Sequence, residues 1–117
     1  MIETKLGKTP LGTAVVTGAS AGIGRIYADR LAQRGYDLLL VARRADRLED
    51  VASRLKANYG VSVRTMTADL ASAPDLEAVA ETIAADAAIM VLVNNAGTST
   101  LAPLAATAAS AARAMTV

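Results

Sequence analysis

The chain has 117 residues, of which 53% are hydrophobic and 20% charged, as is typical of a single globular domain. Its net charge of +1 gives no electrostatic reason to expect nucleic acid or an anionic membrane as a partner. These residues include no Cys or His, which excludes disulfides, thiolate chemistry, Ser-His-Asp mechanisms and histidine-ligated metal sites within them. The lack of Cys also fits a reducing compartment, and we expect a cytoplasmic protein.

The predicted elements alternate between strands and helices along the chain. In order, they are a strand at 13–17, a helix at 22–34, a strand at 36–42, a helix at 44–58, a strand at 61–67, a helix at 72–86, a strand at 89–93 and a helix at 100–117. The strands at 36–42 and 89–93 are almost wholly apolar, so both of their faces must be covered. This order predicts an α/β fold of the Rossmann type, a doubly wound parallel sheet of about four strands with flanking helices.

Local signals support two of these helices and argue against a membrane segment. Apolar residues recur at i, i+3, i+4 and i+7 in the second helix, and Ser72 and Asp75 predict a capping box at the start of the third. The long uncharged run at 87–112 contains Asn94, Asn95 and Pro103. It therefore indicates a buried strand, a polar loop and an Ala-rich helix rather than a transmembrane span.

A glycine-rich loop, TGASAGIG, joins the first strand to the first helix at 17–24. A turn of this kind exposes the unpaired N–H groups of the helix, which attract a pyrophosphate. Gly18, Gly22 and Gly24 allow a sharp turn, close approach to phosphate and close packing of helix on strand. Their spacing, G-x-x-x-G-x-G, differs from the common G-x-G-x-x-G, and turn chemistry alone is an alternative. The strand before the loop and the helix after it favour dinucleotide binding.

Three segments together resemble the short-chain dehydrogenase/reductase family. The loop at 17–24 is similar to the cofactor loop of that family. Asp69 and Leu70, after the third strand, resemble its adenine-contacting pair, and Asn94 to Gly97 (NNAG) resemble the motif after its fourth strand. The three segments come in the family's order, and the resemblance extends over nearly the whole chain. The resemblance implies the N-terminal, cofactor-binding half of such a protein.

The resemblance also implies the roles of individual residues. Those expected around the pyrophosphate and the nearby ribose are Gly18, Ser20, Ala21, Gly22, Ile23 and Gly24. Asp69 and Leu70 would face the adenine, and Asn95, Ala96 and Gly97 would line the ribose and nicotinamide side, while Asn94 would mainly tie the sheet together. Taken alone, Asp69 could instead be a solvated turn acid and Asn94 to Gly97 a simple turn.

The end of the second strand predicts NADP(H) rather than NAD(H) as the cofactor. It reads LLLVARR, with Ala42 where NAD-binding members of the family commonly have Asp, and Arg43 and Arg44 directly after it. Arginine suits a 2′-phosphate because its planar guanidinium donates two parallel hydrogen bonds, and Ser20 could add a hydroxyl. The alternative is a solvated helix start, but two cations there are mildly unfavourable because the helix dipole prefers anions.

No catalytic residues are predicted within the chain. The family uses a Tyr followed four residues later by a Lys, together with a Ser and an Asn, to transfer a hydride between a nicotinamide and a carbonyl or alcohol. None of the three tyrosines, Tyr27, Tyr36 and Tyr59, is followed at that spacing by Lys. We therefore expect this chain to be the NADP(H)-binding half of an oxidoreductase. By itself it would be inactive, and it would lack the elements that form the substrate pocket in this family.

Two alternatives stay open at this point. The chain could be a non-catalytic nucleotide-binding module, or a structural fragment whose loop is empty. The expected strand order, 3-2-1-4, leaves the apolar strand at 89–93 on an edge, where it could pair with another chain. We therefore expect self-association through this strand or the helix at 100–117.

Overall fold

The computed structural model describes residues 11–20 and 22–95, and the backbone of 115–116. Its elements are β1 (Thr13–Thr17), α1 (Gly22–Gln33), β2 (Asp37–Ala42), α2 (Ala45–Tyr59), β3 (Val63–Thr67), α3 (Ala73–Ala85), β4 (Ile89–Val93) and β5 (Met115–Thr116). The four predicted strands and the first three predicted helices are all present. The largest difference in their bounds is at β3, which begins at Val63 because its ladder with β2 starts there, at Leu38.

The strands form one parallel sheet in the order β3-β2-β1-β4-β5. Successive residues of a strand point to opposite faces, and both faces here are apolar. Leu38 and Leu40 pack with α1 and α2 on one face, whereas Leu39 and Val41 pack with α3 on the other. The predicted Rossmann-type fold is confirmed, with its core in two layers above and below β1 and β2.

The helices bury side chains of different sizes against the sheet. α1 buries the small residues Ala28 and Ala32, so its axis can lie close to the strands. α2 buries the four residues of its predicted apolar stripe, Leu48, Val51, Ala52 and Leu55. Among the described residues, none of the helices has both the length and the apolar character needed to cross a membrane.

The expectation of a helix running to residue 117 is wrong at its end. Met115 and Thr116 form a short strand that pairs in parallel with Val91 and Leu92 of β4. The chain ends in Met-Thr-Val, and β-branched residues favour strands over helices. β4 is therefore not the edge strand that the sequence predicted, since part of its outer side is paired. The rest of the predicted last helix, residues 100–114, lies outside the described residues.

The predicted capping box at α3 is also wrong. Ser72 is the N-cap residue, with extended backbone angles, but its side chain makes no capping hydrogen bond. Asp75 Oδ2 instead accepts a hydrogen bond of 2.8 Å from the backbone N–H of Asp69. The Asp75 carboxylate thus reaches past the N-cap to the loop that leaves β3.

We predict that Leu40→Ala strongly destabilises the fold. Leu40 is fully buried in the central part of β2, so truncation leaves a cavity between the sheet and its covering helices. The expected loss in free energy of unfolding is about 2–5 kcal/mol. Urea unfolding measures it, with Ile26→Ala as the control because Ile26 is 52% exposed on α1. Similar losses in the two variants would contradict this account of the core.

Candidate functional site

A cleft of about 500 Å³ opens at the carboxyl ends of β1, β2 and β3. Its lining residues are Gly18, Ser20, Val41, Ala42, Arg43, Arg44, Arg47, Ala68, Asp69, Leu70, Ala71 and Asn95. Seven of them were predicted as site residues from the sequence. Parallel α/β sheets bind their ligands beyond the carboxyl ends of the strands, and the volume is within the usual range for small-molecule sites.

The glycine loop combines two left-handed backbone positions with one close contact. Gly18 and Gly22 have φ angles of 64° and 60°, which residues with a side chain rarely adopt. A Cβ on Gly24 would fall inside contact distance of the Gly18 carbonyl oxygen and 2.7 Å from Asn95 Nδ2. At Gly22, by contrast, no atom lies within 4 Å of a Cβ position. The loop is thus closed on the side of α1 and open beside Gly22.

Thr17 links the glycine loop to the end of β4. Its buried hydroxyl donates to the Val93 carbonyl oxygen at 3.2 Å and accepts from the Asn95 backbone N–H at 2.9 Å. Asn95 Nδ2 in turn lies 3.5 Å from the Gly18 carbonyl oxygen, to which it donates. Sequence reasoning missed this role of Thr17; the available signal was a polar residue at the end of a buried, otherwise apolar strand.

The remaining loop residues have different positions. Gly22, Ile23 and Gly24 form the first turn of α1, outside the cleft lining, and Ile23 is 62% exposed. The Asn94 Oδ1 atom is buried without a hydrogen-bond partner among the described residues, so its expected role in tying the sheet stays a prediction. The predicted site residues Ala21, Ala96 and Gly97 lie outside the described residues.

Three arginines line the cleft where β2 leads into α2. Arg43 and Arg44 were predicted; Arg47, in the first turn of α2, was missed, although a third arginine so close after the other two was a usable signal. Arg44 is the N-cap residue of α2, and its Nε lies 3.6 Å from Asp46 Oδ1. The pKa of Asp46 is lowered, chiefly because its carboxylate accepts a hydrogen bond from the Arg47 backbone N–H, with a smaller effect of the Arg44 cation.

The loop after β3 is held by its own acidic side chains. Asp69 Oδ1 accepts from the Ala71 backbone N–H at 3.0 Å, and the Asp69 N–H donates to Asp75. Leu70 is buried and belongs to the cluster beneath Val41 and α3. The Asp69 carboxylate therefore both shapes a turn and lines the cleft. The two interpretations of Asp69, an adenine-facing residue and a solvated turn acid, both stay open.

A second cleft, of about 420 Å³, lies between α1 and α2. It is lined by Arg25, Ile26, Asp29, Arg30, Val51, Arg54, Leu55 and Asn58, and contains none of the predicted site residues. This second cleft lies on the helical layer rather than at the ends of the strands. The first cleft, at the carboxyl edge of the sheet, is therefore the better candidate for a functional site.

Fold and site together define a Rossmann-type unit of the kind that binds dinucleotides. The strand order 3-2-1-4, the glycine loop at the first strand-to-helix turn and the cleft beyond the carboxyl ends of the strands all belong to this class. The family model described as short chain dehydrogenase matches residues 12–116. The chain belongs to the short-chain dehydrogenase family, as its sequence predicted.

Individual relatives agree with this assignment. The chain is 41% identical over 99 residues to very-long-chain 3-oxoacyl-CoA reductase-A of Danio rerio, a match that covers 85% of this chain and 30% of the relative. It is similar to a short-chain dehydrogenase from Sphingobium yanoikuyae solved in complex with NADPH, at 40% identity and a TM-score of 0.82. That match covers 87% of this chain and 48% of the solved one.

A third relative is the bulky-bulky ketone specific alcohol dehydrogenase from Comamonas testosteroni. Its identity is 36% and its TM-score 0.84, with 87% of this chain and 50% of the solved chain covered. The chain thus spans about a third of the curated relative and half of the solved structures.

We predict that Gly24→Ala disturbs the site as well as the fold. The added methyl group would push against the Gly18 carbonyl and Asn95, so one of these segments must move. Overpacking of this kind costs about 1–3 kcal/mol in free energy of unfolding. The site effect is measured as an NMR shift of the Asn95 side-chain amide.

Gly60→Ala is the control for this variant, because Gly60 caps α2 with a φ of 70° and has open space around it. It should lower stability through backbone strain and leave the Asn95 amide unmoved. An unmoved Asn95 amide in Gly24→Ala would contradict the close contact.

We also predict that Asp75→Ala loosens the loop after β3. The Asp69 N–H loses its acceptor, which is expected to lower the free energy of unfolding by about 0.5–1.5 kcal/mol. Hydrogen exchange of the Asp69 amide should accelerate. Glu77→Ala, an equal charge change at an exposed position of α3, should leave that amide protected; equal exchange in both variants would contradict this role of Asp75.

Proposed function

We propose that this chain forms the cofactor-binding part of an oxidoreductase that transfers a hydride between NADP(H) and a carbonyl or alcohol substrate. The observation that carries this proposal is the placement of Arg43 and Arg44 in one cleft with the glycine loop and the loop after β3. A pyrophosphate, an adenine and a 2′-phosphate each find suitable protein groups there. Hydride exchange is the chemistry that the bound nicotinamide would supply.

The residues present fit such a dinucleotide in their chemistry. The first turn of α1 offers backbone N–H groups and the positive end of the helix dipole, with open space beside Gly22 for a pyrophosphate. Asp69 and Leu70 line the part of the cleft assigned to the adenine. Ala42 ends β2 without the acid that would accept from a ribose 2′-hydroxyl, and arginines follow it.

The relatives support both the cofactor and the reaction class. The Sphingobium protein binds NADPH, and the Danio and Comamonas proteins are named as a 3-oxoacyl-CoA reductase and a ketone specific alcohol dehydrogenase. All three names concern carbonyl or alcohol chemistry or its cofactor. Because this chain spans only part of each relative, we extend to it the carbonyl or alcohol class and no particular substrate.

A non-catalytic nucleotide-binding role is the second candidate. One observation favours it: no tyrosine of these 117 residues is followed four residues later by Lys. Because these 117 residues are expected to be inactive by themselves, the two candidates differ only in an assay of the natural full-length protein with NADPH and a panel of ketones. Oxidation of NADPH supports the oxidoreductase, whereas binding without turnover supports the second candidate.

Self-association and a cytoplasmic location stay predictions. The pairing of β5 with Val91 and Leu92 leaves less of β4 open to another chain than the sequence suggested. Exposed Met90 on β4 and Ile26 on α1 are apolar groups that a second copy could cover. A monodisperse monomer in light scattering at high concentration would contradict self-association.

We predict that Arg43→Asp weakens NADPH binding at least about tenfold, since it removes a charge-assisted hydrogen bond and adds repulsion. NADH, which lacks the 2′-phosphate, should bind no more weakly than before. Calorimetric titration measures both affinities. Arg54→Asp is the matched control, because it makes the same charge change at a residue of α2 that pairs with Asp50 outside the cleft. Unchanged NADPH affinity in Arg43→Asp would overturn the assignment.

A further inference from the structure

The second cleft, between α1 and α2, combines an apolar base with an excess of positive charge. Val51 and Leu55 are its buried apolar residues, and the exposed Ile26 lies beside them. Its charged lining residues are three arginines and one aspartate, namely Arg25, Arg30, Arg54 and Asp29. Their charges give the lining a net charge of +2. A groove of this kind between two helices suits a third helix that carries acidic side chains beside an apolar surface.

The acidic groups close to these arginines offset only part of their charge. Asp50 is paired with Arg54 at 3.1 Å. Asp29 accepts a hydrogen bond of 2.9 Å from the Tyr59 hydroxyl and lies on the same helix as Arg25 and Arg30. One carboxylate cannot neutralise two guanidinium groups, so the side of the cleft that α1 forms stays positive.

The complementary surface of the molecule is α3. Between Ala73 and Ala85 this helix has acidic residues and no basic one. Glu77 and Glu81 are exposed on one face, one helical turn apart, and neither forms an ion pair within the described part of the chain. Like charges at this spacing destabilise a helix slightly, so cations placed opposite them would be stabilising. The same face also exposes apolar residues with short side chains, Pro74, Ala78 and Ala84.

The two complementary surfaces lie on opposite faces of the sheet. α1 and α2 cover the face of Leu38 and Leu40, whereas α3 covers the face of Leu39 and Val41. The α3 helix of one copy therefore cannot reach the cleft of the same copy. A contact between two copies uses one cleft and one α3 helix, and leaves the other cleft and the other α3 helix open to further copies.

We propose that the cleft between α1 and α2 binds α3 of a second copy of this chain, with Arg25 and Arg30 facing Glu77 and Glu81. The contact is independent of the proposed cofactor binding, because none of these four residues lines the carboxyl-edge cleft. Exposed ion pairs are individually weak, so association requires a high protein concentration. Because the contact is head-to-tail, the mean mass should rise past that of a dimer as concentration increases.

The experiment measures the mass of the full chain by light scattering over a range of concentrations, with two charge-reversed variants. Glu77→Arg/Glu81→Arg reverses α3, and Arg25→Glu/Arg30→Glu reverses the cleft. Each variant alone should associate at least about tenfold more weakly than the wild type, because like charges then face each other. An equimolar mixture of the two should associate again, because every cleft then meets an α3 helix of opposite charge on the other variant.

Arg34→Glu/Lys56→Glu is the matched control for the reversed cleft. It makes the same charge change at exposed positions on or next to the same two helices, outside the lining of the cleft. Its association should stay within about threefold of the wild type. Salt at about 1 M should weaken association of the wild type, because the Debye length falls to about 3 Å.

Neutral variants serve as the test if a reversed variant fails to fold, which urea unfolding reports. Arg25→Gln/Arg30→Gln and Glu77→Gln/Glu81→Gln remove the charges without adding repulsion. Each should weaken association by less than the corresponding reversal, and mixing them should restore nothing.

Four results would overturn the inference. They are a wild type that stays monomeric at every concentration, a wild-type mass that stops at the dimer, reversed variants that associate like the wild type, and a mixture that associates no better than its components. Association through the edge of β4 would give the third of these results. All four leave the proposed cofactor binding intact, since NADPH titration tests it separately.

Discussion

The contact between Gly24 and the Gly18 carbonyl sets how closely α1 can approach β1. No side chain can occupy position 24 without moving the loop or Asn95, so the first turn of α1 lies directly on the strand that precedes it. The small residues Ala28 and Ala32 continue the same close approach along the helix. As a result the N–H groups of the first turn lie at the carboxyl edge of the sheet, where a pyrophosphate can reach them.

Thr17 extends this constraint to the other side of the site. Through one buried hydroxyl it joins the end of β1 to Val93 and Asn95, so the loop after β4 is held against the glycine loop. Buried hydrogen bonds of this kind are costly to leave unmade, which makes the relative position of the two loops well defined. Backbone contacts and the Thr17 hydroxyl therefore shape the cleft. Its positive charge comes from arginines in a separate part of the chain, around the start of α2.

Periodicity and loop chemistry made much of this arrangement predictable. Strands that are apolar on both faces require a covered parallel sheet, and a sheet of that kind brings the loops after β1, β2 and β3 to one edge. Such reasoning explains Arg43, which directly follows β2, whereas Asp69, two residues beyond β3, was found through the resemblance to the family. The sequence prediction missed Arg47, whose place in the cleft depends on the direction in which α2 leaves the strand and on which face of its first turn meets the opening.

Two predictions that rested on short local patterns are wrong. The capping box at Ser72 and the helix at 115–116 were inferred from short patterns whose residues find tertiary partners that a pattern cannot show. Asp75 reaches Asp69 because the loop after β3 folds back over the start of α3, and Met115 pairs with Val91 because β4 has an open side. Tertiary contacts thus override local preference where a polar group or a strand edge would otherwise lack a partner.

The surroundings of Tyr59 are those of a structural residue rather than of an acid or base. A tyrosine that acts as an acid or base near neutral pH needs a neighbouring cation to lower its pKa. The Tyr59 hydroxyl instead donates to Asp29 Oδ1 at 2.9 Å, and this hydrogen bond raises its pKa above the ordinary value. Tyr36 packs against the core, and neither residue lines the carboxyl-edge cleft. Among the described residues, no tyrosine lines the carboxyl-edge cleft, and Tyr59 contributes stability to the contact between α1 and α2.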